Sequence, residues 1–121
     1  MSKPFPTELN LRRQSRVLEV TFVDGATYVL PCEYLRVYSP SAEVQGHSPD
    51  QRVLQVGKED VNIERIEPVG NYAVLLHFDD GHNTGIYSWE TLYNLGRHYA
   101  EYWAQYLRDL EAAGHKRKQP S

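Results

Sequence analysis

The chain has 121 residues and a formal net charge of −3, from 13 Lys+Arg against 16 Asp+Glu. Hydrophobic residues make up 40%, charged residues 24% and aromatics 12%, which describes one globular domain rather than a disordered segment. The slight acidity argues against a protein that grips nucleic-acid phosphates over a broad basic surface. A single cysteine, Cys32, excludes an intrachain disulfide and a multi-thiolate zinc site within one chain. Residues 1–10 are polar and Pro-containing, and no run approaches the ~20 apolar residues that span a bilayer. The expectation is a cytoplasmic protein with neither a membrane nor a nucleic-acid partner.

The elements follow in chain order. Leu9 and Leu11 alternate with polar neighbours, and Val17, Leu18, Val20 and Phe22 interleave with Glu19 and Thr21, which is strand chemistry. Asp24-Gly25 is a strong hairpin signal, with a return strand at Thr27–Leu30. Pro31 ends that strand and opens a short helix over Cys32–Arg36. Residues 39–60 are rich in turn formers and read as a long ordered loop, with a short strand at Arg52–Gln55. Val61, Ile63 and Ile66 predict a strand closed by Pro68 and Gly70-Asn71. Tyr72–Phe78 is a nearly continuous apolar run, expected at the centre of its sheet. Asp79-Asp80-Gly81 turns it, Asn83–Tyr87 returns, and Ser88 is the N-cap of a helix from about Trp89 to about Ala112. The apolar positions of that helix are Leu92, Leu95, Tyr99, Trp103, Tyr106 and Leu110.

The predicted fold is α+β: a small, mostly antiparallel β-sheet built from hairpins, a short helix after the first hairpin, and a long C-terminal helix packed on the sheet. The organisation is a flexible N-terminus over 1–7, one domain over 8–112, and a basic flexible tail over 113–121. Phe22-Val23-Asp24-Gly25 echoes Phe78-Asp79-Asp80-Gly81 at a spacing of 56 positions, and each is followed by a short strand and a helix start. The echo fits either an internal duplication or two independent hairpins that share the commonest turn.

No phosphate-binding loop, dinucleotide fingerprint or serine-hydrolase elbow is present. Cys32 stands at a helix start, where a dipole lowers a thiol pKa, but no base and no oxyanion hole accompany it. His82 follows Asp80 in a turn, where Asp80 serves the turn and His82 is expected to face water. The segment from Tyr34 to His47 concentrates hydrogen-bonding groups: Arg36 offers a fork for a carboxylate or phosphate, and Ser39, Ser41, Gln45 and His47 can orient a ligand or peptide. The bland alternative is a loop capping the sheet, with Arg36 paired to an acid such as Glu33 or Asp79. The aromatic stripe of the last helix fits either a wide core face or a protein interface.

Three stretches together resemble a known family. They are Leu35-Arg36 with Ser39-Pro40-Ser41-Ala42-Glu43-Val44-Gln45-Gly46-His47, then Ile66–Val74, then Phe78-Asp79-Asp80-Gly81-His82 with Thr84–Trp89. They resemble the small bacterial DUF971 family, the γ-butyrobetaine hydroxylase-like N-terminal domain, over about residues 8–110. The resemblance implies an α+β domain with a small sheet and a C-terminal helix. In carnitine-pathway dioxygenases a similar domain precedes a separate jelly roll that holds iron and 2-oxoglutarate. The present chain ends where that jelly roll would begin, so no iron, 2-oxoglutarate or hydroxylation is expected of it. The family domain also occurs attached to ATPases of iron–sulfur assembly, which implies an accessory role. Eukaryotic members hold a zinc through three cysteines and one histidine. The matching positions here read Ser39, Ser41, Val44 and His82, so no structural zinc and no cofactor are expected.

The functional expectation is a non-enzymatic cytoplasmic binding or accessory module. Its expected contacts are Tyr34, Arg36, Ser39, Ser41, Gln45, His47, His82, Tyr87 and Trp89, with a protein partner or a homodimer. Rival readings are a metal-handling protein or small enzyme using His47 and His82 with Asp80 or Glu43, and a self-associating subunit using the aromatic helix.

Overall fold

The computed structural model describes residues 3–45 and 52–117. Its elements are β1 (Pro6–Arg12), β2 (Val17–Phe22), β3 (Thr27–Pro31), α1 (Cys32–Val37), α2 (Ala42–Gln45), β4 (Ile63–Val69), β5 (Ala73–Phe78), β6 (Ile86–Ser88), α3 (Trp89–Arg97) and α4 (Tyr99–Ala112). The fold is α+β, with the strands divided between two antiparallel sheets ordered β1-β2-β3 and β4-β5-β6 rather than joined in one. Each meander runs directly into a helix, β3 into α1 and β6 into α3.

Side-chain alternation sets which face of each sheet is buried. Leu18, Val20 and Phe22 of β2 are buried while Val17, Glu19 and Thr21 are half-buried. In β5, the middle strand of its sheet, Val74, Leu76 and Phe78 are buried. The strand β4 continues through Pro68, which pairs with Val74, instead of ending there. Because β4 lies at the sheet edge, the missing proline N–H costs no ladder bond on the open side. Arg52–Gln55 forms no strand; the Val53 N–H donates to the Val44 carbonyl at 2.7 Å.

The sequence echo is a repeat of structure. The Phe22 N–H donates to the Ala26 carbonyl and the Gly25 N–H to Phe22; the Phe78 N–H donates to His82 and the Gly81 N–H to Phe78. Gly25 and Gly81 both take left-handed conformations, with φ of 90° and 92°, that side chains rarely adopt. The first residue of each helix reaches back across its own meander, Cys32 to the Arg16 carbonyl and Trp89 to the Tyr72 carbonyl. Val23 donates to Phe5 and Asp79 to Asn62, so even the anchoring of the turns is repeated.

Both sheets contribute to one core, in which Leu18, Val20 and Phe22 meet Ile63, Leu76 and Phe78. All six residues of α1 are buried, which makes this short helix the centre of the domain. The C-terminal helix expected over 89–112 is two helices, broken at His98 (φ −107°, ψ 19°). The break lets two apolar stripes serve two surfaces. Leu92 and Leu95 of α3 enter the main core, whereas Tyr106 and Leu110 of α4 pack with Val37 in a smaller cluster. Ser88 caps α3 as expected, its Oγ accepting the Thr91 N–H at 3.1 Å. Among the described residues, no helix is long and apolar enough to cross a membrane.

Candidate functional site

The segment after α1 and the hairpin between β5 and β6 are laced together side chain to side chain. Ser39 Oγ lies 2.9 Å from His82 Nε2, and Ser41 Oγ lies 2.8 Å from the Thr84 hydroxyl. The Tyr87 hydroxyl donates to the Leu35 carbonyl at 2.5 Å, and Gln45 Nε2 donates to the Ser39 carbonyl at 2.8 Å. Gly85 permits this closeness, since a Cβ there would lie 2.4 Å from Ser39 Oγ and 3.2 Å from the Tyr87 ring.

A charged knot closes one side of the lacing. Arg36 Nε donates to Asp80 Oδ2 at 2.9 Å, and Lys58 Nζ donates to the same oxygen at 2.7 Å. The other Asp80 oxygen caps the turn by accepting the His82 N–H at 3.1 Å, and Arg36 Nη1 donates to Gln55 Oε1 at 2.9 Å. Partial burial alone pushes the Asp80 carboxyl up. The hydrogen bonds from Lys58, the His82 N–H and Arg36 outweigh it and hold the group at about 2. Arg36 is thus paired with Asp80, not with Glu33 or Asp79.

Of the residues read from sequence, Arg36, Ser39, Ser41, Gln45 and His82 join this network, and Tyr87 reaches it through Leu35. His82 does not face water; it is 5% exposed, enclosed by Ser39 and the Phe78 ring. Tyr34 is buried on the other side of α1, its hydroxyl donating to the Leu95 carbonyl at 2.7 Å and its ring against Tyr99. Burial keeps the Tyr34 and Tyr87 phenols protonated far above neutral pH. Trp89 stands apart. Its Nε1–H donates to the Asn71 carbonyl, and it lines a groove of about 410 Å3 with Phe5 and Tyr72. His47 and the Glu43 side chain lie outside the described residues. Asp80, expected as a turn former or as a carboxylate beside His47 and His82, is instead the acceptor for Arg36 and Lys58, and Lys58, Gln55, Thr84 and Gly85 were not among the expected contacts. The Asp80-Gly81 pair was a visible signal, but the return of Lys58 onto it was not.

The site's chemistry is that of a satisfied interior. Ser39 and His82 form a hydroxyl–imidazole pair, yet Ser39 is fully buried and Gly85 lies over it. The cavity of about 320 Å3 beside α1 is lined by Val37, Arg52, Leu54, Gln55, Tyr106 and others, and not by Ser39, His82 or Cys32. Burial pushes the Cys32 thiol up to about 11, away from the depressed value of a nucleophile at a helix start. The zinc site that the resemblance implies for other members does not fit these residues. Val44 has no donor atom, two hydroxyls stand where thiolates would be needed, and one of them already bonds the histidine nitrogen. Among the described residues, no three His, Cys, Asp or Glu side chains converge to hold a metal ion. The aromatic stripe of α4 is largely taken up inside the chain, with Tyr99 and Trp103 against Tyr34 and Tyr106 on Val37.

The family described as gamma-butyrobetaine hydroxylase-like, N-terminal matches residues 9–93. No curated protein matches the chain significantly. Two proteins with NMR solution structures are similar to it. One is 52% identical with a TM-score of 0.82, covering 96% of this chain and 86% of its own; the other is 42% identical with a TM-score of 0.84, covering 99% and 94%. A crystal structure from Acidithiobacillus ferrooxidans, described as a DUF971 protein of unknown function, is 44% identical over 78% of this chain and 98% of its own, with a TM-score of 0.64. Matched over most of its length and sharing this architecture with close relatives, the chain belongs to the γ-butyrobetaine hydroxylase-like N-terminal (DUF971) family.

Proposed function

We propose that the chain is a non-enzymatic binding or accessory module, working by association rather than by turnover. One observation carries this reading: among the described residues, the candidate side chains Arg36, Ser39, His82 and Cys32 are engaged inside the fold. Ser39 and His82 bond each other, Arg36 bonds Asp80, and Cys32 is buried with a raised pKa. Their role is positioning. Arg36, Ser39, His82 and Asp80 hold the segment after α1 against the β5–β6 hairpin, and Ala42, Asn83 and Thr84 are exposed beside this lacing. We place its partner among the proteins of iron–sulfur or oxygenase metabolism, on the strength of the family resemblance alone.

The test is site-specific photo-crosslinking in producing cells. A benzophenone side chain at Asn83 is expected to give one dominant protein adduct, identified by mass spectrometry. The same group at Thr7, exposed on the other sheet, is expected not to give it. Identical adducts at both positions overturn the reading. So does a purified chain that turns over a substrate and loses that activity with Ser39→Ala.

A further inference from the structure

At the far end of α1 from the charged knot, a second and unrelated seat is built around Glu33. This carboxylate is buried, with its side chain only 8% exposed. It is held by Arg117, 84 residues away: Arg117 Nε donates to one oxygen at 2.9 Å and Nη2 to the other at 2.5 Å. The guanidinium also lies over the Trp103 ring, 5.3 Å from its centroid. Trp103 belongs to a wall of rings, with Tyr99 stacked at 6.3 Å and Tyr106 tilted at 5.3 Å. A two-pronged carboxylate beside an aromatic face is the chemistry that selects a planar guanidinium over a compact ammonium.

The occupant arrives on a short segment outside the helices. Gly114, at φ +80°, ends α4 by turning the chain back, with the His115 N–H on the Leu110 carbonyl and the Gly114 N–H on Glu111. This turn precedes the return of Arg117 to the wall it has just left. With Arg117 seated the carboxylate is nearly sealed from water, so its burial and its charge partner arrive together. The tail holds its place as a tethered ligand, at an effective concentration in the millimolar range.

We propose that the Glu33–Trp103 seat is a guanidinium-binding site, filled in the resting chain by its own Arg117 and open to exchange with a guanidinium from outside. Exchange releases the tail, so the seat couples ligand capture to the position of the C-terminal segment. This goes beyond the accessory-module reading and stands on different residues.

The experiment uses full-length Arg117→Ala protein, checked for fold by circular dichroism. N-acetyl-arginine amide is titrated while the Trp103 indole N–H is followed by NMR. A saturable shift is expected, ~10-fold or more tighter than in wild type, where the tether competes. N-acetyl-lysine amide is expected to bind more weakly, and Glu33→Gln added to Arg117→Ala is expected to abolish the shift. Equal binding by wild type and Arg117→Ala, or by the arginine and lysine probes, overturns the proposal. If Arg117→Ala does not fold, the wild type answers instead. Saturating N-acetyl-arginine amide is expected to erase the protected Arg117 Nε–H signal, and persistence of that signal overturns the proposal. A peptide with one internal arginine is the final arm. Tighter binding than the amide upholds the seat with a protein as the source, and equal binding upholds it with a small guanidinium compound as the source.

Discussion

Asp80 and Arg36 meet at 2.9 Å across the junction between the two repeats, joining the turn of the second meander to the helix of the first. The reverse connection also exists: the Tyr93 hydroxyl donates to Asp24 at 2.6 Å, joining the helix of the second unit to the turn of the first. Arg36 and Tyr93 are each the fifth residue of their helix, and Asp24 and Asp80 occupy the same place in their turns. The halves are therefore pinned twice, reciprocally, about an approximate two-fold relation. One pin is a partly buried ion pair; the other is an exposed phenol–carboxylate bond that holds the Asp24 carboxyl below its ordinary value. The ionic pin lies where the family motifs converge.

The ionic pin has a defined pH signature. The folded-state value of Asp80, about 2, lies below the ordinary 3.8, so its contribution is present above pH 4 and is lost as pH falls towards 2. Asp80 is partly solvent-exposed, so after screening the contribution is on the order of 1 kcal/mol. Urea denaturation of wild type and Asp80→Asn is expected to show a constant gap from pH 5 to 7 that narrows steadily between pH 4 and 2. A gap that stays constant through that range would show that the carboxylate's charge does not stabilise the fold.

The Ser39–His82 bond is expected to act as a unit. Ser39→Ala removes a buried partner of the imidazole and is expected to cost about 1–3 kcal/mol. His82→Phe is expected to cost a similar amount, leaving the buried Ser39 hydroxyl to the Ser41 N–H that it accepts at 3.3 Å. The double variant is expected to cost clearly less than the two single losses combined, because both ends of the interaction have then gone. Chemical denaturation of all four proteins checks this, and strict additivity would separate the two groups.

Gly96 sets two effects of opposite sign against each other. Alanine is better than glycine inside a helix by ~1 kcal/mol. Yet a Cβ at position 96 would lie 2.3 Å from Cγ of Tyr28 and 2.9 Å from its Cβ, near the stem of that side chain rather than a mobile tip. Overpacking of this kind costs about 1–3 kcal/mol and is expected to win. Gly96→Ala is expected to lower the thermal midpoint, whereas Tyr28→Ala in the same chain is expected to turn Gly96→Ala neutral or stabilising.

Much of the architecture was legible because local chemistry is enough to write it. Alternation in β2 named the buried Leu18, Val20 and Phe22, Asp-Gly pairs named both turns, and Ser88 named a helix start. The echo of Phe22–Gly25 in Phe78–Gly81 was visible as text, but only matched hydrogen bonds from turn to helix separate a structural repeat from two common hairpins. The break at His98 was not legible, since Leu92, Leu95, Tyr99, Trp103 and Tyr106 keep helical spacing straight through it. The stripe divides after the break, with Tyr99 and Trp103 still on the main core and Tyr106 and Leu110 on the smaller cluster around Val37.

The sequence by itself pointed to part of the candidate site, because Arg36, Ser39, Ser41 and His82 sit in motifs that the family pattern places together. It could not determine which way they face. Whether a polar group meets water or another polar group depends on what the rest of the chain lays over it, and burial is a property of the assembled fold. Lys58 arriving on Asp80, Gly85 closing on Ser39 and Arg117 returning to Glu33 are contacts between residues 22, 46 and 84 positions apart, and no local pattern encodes them. The tertiary structure alone decided that the polar residues of the motif hold the domain together from inside.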